Sequence, residues 1–130
     1  MTKRIFTMLL GLTILVLSIT NISIVSAAAV DDSVWVANSG SGTVSRISKS
    51  TNAVTATITV GVFPYGVAVD QDSVWVANQG SGTVSRISKS TNAVTATITV
   101  GSFPSGVAVD QDSVWVANSG SGTVSRISKS

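Results

Sequence analysis

The chain has 130 residues, with eight basic and six acidic side chains for a formal charge of +2, and it contains no cysteine or histidine. Without cysteine there is no disulfide framework and no thiolate metal centre, and without histidine or cysteine no Ser-His or Cys-His nucleophilic pair can form. Glutamate is also absent, so two of the residue types that carry most general acid–base work are missing.

The first segment stands apart from the rest. Lys3 and Arg4 form a short basic start, Ile5 to Ile19 is a nearly unbroken apolar run, and Val25-Ser26-Ala27-Ala28-Ala29 supplies small residues. Basic start, apolar middle and small-residue end predict a secretory signal peptide over residues 1–29. The alternative is an uncleaved anchor, because residues 5–30 are long enough to span a bilayer. Beyond the segment, six Lys/Arg face six Asp and the charge is zero. The sequence pI near 9.4 therefore reports the export segment. No basic patch for nucleic acid remains.

From Ser33 onward the chain repeats with a period of 40 residues. Ser33 to Asp70 matches Ser73 to Asp110 except at Ser39/Gln79, Val62/Ser102 and Tyr65/Ser105. Asp72 to Ser90 matches Asp112 to Ser130 except at Gln79/Ser119. Such a period is the mark of a repeat architecture.

Each unit predicts four strands. Gly66 to Val69 is short and apolar, and ends at the turn Asp70-Gln71-Asp72-Ser73. Val74 to Ala77 is apolar on both faces and ends at Asn78-Gln79-Gly80-Ser81-Gly82. Thr83 to Ser88 follows, closed by Lys89-Ser90-Thr91-Asn92. Ala93 to Val100 alternates Val, Ala and Ile with Thr95, Thr97 and Thr99. β-Branched residues in period two mark strands, and Gly, Asn, Asp and Pro clusters mark turns. No segment after the export signal reads as a helix.

Four short antiparallel strands in 40 residues predict an all-β fold built of β-propeller blades. The Gly and Ala of the first strand suit a crowded axis. The all-apolar second strand suits a position between neighbouring blades, and the threonine face of the fourth suits an outer edge. Trp35, Trp75 and Trp115 are expected to pack blade against blade. The repeats divide as blade 1 over 30–70, blade 2 over 71–110 and a partial blade 3 over 111–130, about two and a half blades. Closed propellers typically have four to eight. Three routes to a ring or its absence stay open: a fragment of a longer propeller, several chains that close one ring, or an open array.

The motif Val34-Trp35-Val36-Ala37-Asn38, then Ser39-Gly40-Ser41-Gly42-Thr43-Val44-Ser45, resembles the YVTN-type β-propeller repeat. So do Thr51 to Gly61 and Phe63-Pro64-Tyr65-Gly66-Val67-Ala68-Val69, so that the resemblance covers 31–130. Trp stands for the motif tyrosine and Ala37 for its threonine. The resemblance implies a secreted or cell-surface protein, without a specified ligand. The repeat is also similar to that of streptogramin (virginiamycin B-type) lyases, whose His and Glu active-site pattern finds no matching position here.

The residues divide into candidate sites by face. Strands run up and down in turn, so the second-to-third loop and the inter-blade loop share one face. Every difference between copies falls there. Ser39, Gln79, Ser119, Tyr65 and Ser105 are therefore the candidate ligand face. Asp70/Asp72 and Asp110/Asp112 are the main carboxylate pairs. Two carboxylates in a turn are too few for calcium, and Asp is a common turn residue. Gly40-Ser41-Gly42 lacks the helix and lysine of a phosphate loop. Arg46, Lys49 and their copies read as solvated positions. No catalytic residue, metal or cofactor is expected. The functional expectation is a non-catalytic binding module, secreted or on the cell surface, that meets a protein or glycan. It would bind no nucleic acid, touch no membrane beyond the export or anchor segment, and self-associate through open blades. The alternative is a fragment of a propeller enzyme such as a streptogramin lyase, with the catalytic residues outside this chain.

Overall fold

Ten strands of six residues each run through residues 32–130, the part of the chain that the computed structural model describes. They are β1 (Ser33–Asn38), β2 (Thr43–Ser48), β3 (Val54–Thr59), β4 (Pro64–Val69) and β5 (Ser73–Asn78). They continue with β6 (Thr83–Ser88), β7 (Val94–Thr99), β8 (Pro104–Val109), β9 (Ser113–Asn118) and β10 (Thr123–Ser128). A 3-10 turn at Ser39–Ser41 is the only helical geometry among the described residues. The expected export segment 1–29 and the expected start of blade 1 at residue 30 lie outside them.

The strands form three antiparallel sheets: β1-β2-β3, β4-β5-β6-β7 and β8-β9-β10. The fold is all-β, and the middle sheet shows a complete four-stranded blade in the expected order. The sheets are bounded differently from the sequence periods. Strand β4 pairs with β5 and β8 with β9, so sheets change at residues 60–63 and 100–103 instead of 70/71 and 110/111. The cause is local. The Asp70 carboxylate accepts the Asp72 and Ser73 amides at 3.0 and 2.7 Å, which closes a tight hairpin where the period was cut.

The core lies between sheets. Trp35, Val44 and Ile58 of the first sheet meet Val74, Val76 and Ile87 of the second. Trp75 and Val84 of the second meet Val114 and Val116 of the third. Every residue of β5 is buried because it has a sheet on each side. Strands β1 and β9 each have one covered face and so alternate. The threonines of β7 are exposed, as an outer edge requires. At the inner edge β4 approaches β8 so closely that a Cβ at Gly66 would run into the Ser105 carbonyl oxygen. Glycine is needed there for close approach.

Lys49 and Arg126 are exposed, as the sequence suggests, but Arg46 and Arg86 are half-buried, and all three arginines are engaged. Arg46, Arg86 and Arg126 face Trp35, Trp75 and Trp115 directly across the ladder. Their guanidinium carbons lie 5.1, 5.2 and 5.6 Å from the ring centroids, within cation–π range. Each donates through Nε to the serine that opens the paired strand, Ser33, Ser73 or Ser113. Arg46 also crosses to the next sheet and donates through Nη1 to the Lys89 carbonyl at 3.0 Å and to Asn92 Oδ1 at 2.9 Å. The planar fork lets one side chain stack and bond at once.

Candidate functional site

The candidate ligand face is built on two kinds of loop. One is the hairpin after the Trp strand, where Gly42, Gly82 and Gly122 take positive φ. The Asn that ends the strand fixes this hairpin. Asn78, fully buried, donates through Nδ2 to Thr83 Oγ1 and Ser85 Oγ. The other is the crossing between sheets, and Asn78 holds it too, since Oδ1 accepts the Gly61 amide at 3.1 Å.

The crossing is tied to both sheets it joins. Val60 donates to the Gly42 carbonyl behind it, and Gln79 and Gly80 donate to the Phe63 and Val62 carbonyls ahead, each at 2.9 Å. The next crossing repeats this pattern, with Ser119 and Gly120 on Phe103 and Ser102. Thus Gln79 lies against the 62–63 crossing and Ser119 against 102–103. In addition, Ser119 Oγ donates to the Phe103 carbonyl at 2.8 Å. Ser39 sits on the exposed 3-10 turn of the first sheet. Tyr65 is exposed and Ser105 is half-buried where β4 and β8 converge. The five candidates are therefore spread along the loop edge of three sheets, in hairpin–crossing pairs.

Two residues on this face were missed by comparing copies, because they do not vary. Phe63 and Phe103 are exposed, and both hold φ of 51°. A bulky side chain in the left-handed region costs about 1–2 kcal/mol, and persists only where the surroundings over-determine it. The hydrogen bonds from Gln79, Gly80, Ser119 and Gly120 supply that constraint. Each ring also covers a hairpin glycine. A Cβ at Gly80 would lie 2.6 Å from Phe63 Cδ2, and one at Gly120 would collide with the Phe103 ring. With Val62 and Tyr65, the rings leave apolar surface facing solvent. The sequence offers no signal for this backbone. A left-handed residue before proline is contrary to its usual extended preference.

The opposite face holds a polar cleft of about 450 Å³ lined by Asp70, Gln71, Asp72, Arg86, Asp110, Gln111 and Lys129. It lies between the second and third sheets. Asp70 Oδ2 accepts the Trp75 indole N–H at 3.0 Å and pairs with Lys129 Nζ at 3.1 Å. Burial raises the Asp70 pKa, but the Trp75 indole, the Ser73 amide, Lys129 and the Asp72 amide together outweigh it and hold the pKa at about 2. Asp110 is likewise shifted down, chiefly by the Trp115 indole. Each Asp70 oxygen is engaged, and the group stays ionised near neutrality. It suits an ion-pair anchor between blades and not a proton donor at neutral pH. Among the described residues, no three His, Cys, Asp or Glu side chains converge as metal ligands would.

No family model and no curated protein sequence matches the chain. Solved structures do. Hydrazine synthase from Kuenenia stuttgartiensis is similar over 76% of this chain and 33% of its own, with TM-score 0.61 and 22% identity. The computationally designed Ika4 protein is similar over 76% and 61%, with TM-score 0.67 and 16% identity. Virginiamycin B lyase from Staphylococcus aureus is similar over 74% and 37%, with TM-score 0.53 and 16% identity. This chain thus spans a third to three fifths of the length of these proteins. At such identities the likeness is one of fold, and the fold resembles that of the lyase.

Proposed function

We propose that this chain is an extracytoplasmic β-propeller segment of the YVTN repeat type that binds a protein or glycan through its loop face without performing chemistry. The observation that carries the reading is the pair of exposed rings, Phe63 and Phe103, held on left-handed backbone beside exposed Tyr65. Exposed apolar surface framed by polar loops is typical of interaction sites. Aromatic side chains, Phe and Tyr among them, are enriched at protein interfaces, and the Tyr65 hydroxyl adds a polar handle to its apolar ring. Gln79 and Ser119 stand where the copies differ and would adjust specificity from one crossing to the next. The basic-apolar-small order of residues 1–29 supports export. The alternative, a piece of a streptogramin-type lyase, has the likeness of fold behind it and no matching catalytic residue.

The test is a panel of defined oligosaccharides and peptides presented to the full-length chain and to a Phe63→Ala/Tyr65→Ala/Phe103→Ala variant. The reading expects at least one ligand whose affinity falls tenfold or more in the variant, about 1.4 kcal/mol. The same ligand should be indifferent to Gln71→Ala/Gln111→Ala on the opposite face. Ligands that bind wild type and loop variant alike, or that respond to the cleft variant instead, would show that the loop face is not the site. A fusion of residues 1–29 to a reporter active only after export tests the localisation.

A further inference from the structure

The interface between sheets has two sides, and the described residues leave one of each exposed. Within the chain, the forward side (Trp35 and Val44, or Trp75 and Val84) meets the backward side of the next sheet (Val74 and Val76, or Val114 and Val116). The third sheet exposes its own forward side, with Trp115 at 41% and Val124 at 67%. The first exposes its backward side, with Val34 at 45% and Val36 at 40%. Because the copies are nearly identical, each open side matches a surface that this chain already uses.

The polar contacts match as well. At the internal interfaces, Arg46 donates to the Lys89 carbonyl and Asn92 Oδ1 of the following sheet, and Asp70 pairs with Lys129 of the following sheet. The corresponding groups on the open sides are Arg126 and Asp110 at one end, and Lys49 and Asn52 at the other. Asn52 has φ of 57°, like the 56° of Asn92, so its turn already has the receiving conformation. Arg126 is already stacked over Trp115. The Asp110 carboxylate accepts the Trp115 indole as Asp70 does that of Trp75.

We propose that the open sides take a second copy of this chain, head to tail, and that two copies close one ring. Trp115 and Val124 of each copy cover Val34 and Val36 of the other. Asp110 pairs with Lys49, and Arg126 reaches Asn52. The three sheets that the described residues of each copy form give about six in a pair, within the four to eight of closed propellers. A head-to-tail contact makes a ring when its rotation closes.

The experiment uses sedimentation velocity of the full-length chain in density-matched mild detergent. Wild type is expected to sediment as two copies. Val36→Asp and Trp115→Asp, each at an already exposed position, are expected to weaken association by about 100-fold or more while circular dichroism stays native. An equimolar mixture of the two variants is expected to recover a pair, because one intact head then meets one intact tail. Four results would overturn the proposal: monomers of wild type at all concentrations, as further blades or the preceding segment covering the sides would give; concentration-dependent polymers; association that survives in both single variants; or a mixture that fails to pair.

Discussion

The repeat supplies its own control for the value of blade stacking. Trp75 and Trp115 occupy the same place in successive sheets. Each ring lies beneath an arginine and donates to an aspartate. They differ in that Trp75 has a further sheet upon it and is 1% exposed, whereas Trp115 is 41% exposed. Truncation of a buried Trp to Ala costs about 3–5 kcal/mol, including the cavity left behind. At Trp115 a large part of the ring is already in water and no enclosed cavity forms, so the cost falls to about 1–2 kcal/mol. Trp75→Ala should therefore destabilise by about 2 kcal/mol more than Trp115→Ala. The measurement is urea unfolding of both variants in a Val36→Asp background, which keeps a second copy from covering Trp115. A single transition with unchanged slope lets midpoints be compared. Equal losses at the two positions would refute stacking as the source of stability.

Three further outcomes follow from the same geometry. Gly66→Ala should destabilise by about 1–3 kcal/mol, because its Cβ meets the Ser105 carbonyl. In the same denaturation assay Gly106→Ala, whose Cβ meets Ala117 Cβ at 3.5 Å, should change stability by less than about 0.5 kcal/mol. Asp70 has its folded pKa lowered to about 2 from an ordinary 3.8. Its stabilisation, about 2 kcal/mol, is present above the ordinary value and lost as pH falls through the folded one. Stability measured between pH 5 and pH 2 should drop more steeply for wild type than for Asp70→Asn, and parallel profiles would contradict the assignment. Phe63→Gly should change stability by less than about 1 kcal/mol, since relief of the left-handed backbone offsets the lost ring contact over Gly80. Calorimetry of that variant checks this, and a loss of several kcal/mol would make the ring a structural prop.

Local pattern made much of this fold legible. Alternation along Ala93 to Val100 gave β7 and its threonine edge, and the doubly apolar Val74 to Ala77 gave the sandwiched β5. The tryptophans were legible as blade packing because a large ring mid-strand needs cover. What escaped depends on distant partners or on backbone angles. Arg46 reads as a solvated charge until the ladder sets it opposite Trp35 and stacking brings Asn92 beside it. The Asp70–Lys129 pair joins separate sheets. Phe63 carries no mark of its left-handed backbone, because the proline that follows argues for an extended residue. Comparing copies found the positions that vary on the loop face, Ser39, Gln79, Ser119, Tyr65 and Ser105. By construction it overlooked the unvarying rings between them.

One interface is used twice among the described residues and is left open at both of their ends. The most direct measurement is fluorine NMR of the chain labelled with 5-fluorotryptophan, comparing H₂O with D₂O. In the Val36→Asp variant Trp35 and Trp75 should show no solvent isotope shift and Trp115 a clear one, which is lost in wild type as copies pair. Three tryptophans equally sensitive to solvent, or a Trp115 signal that stays exposed when wild-type copies associate, would contradict it.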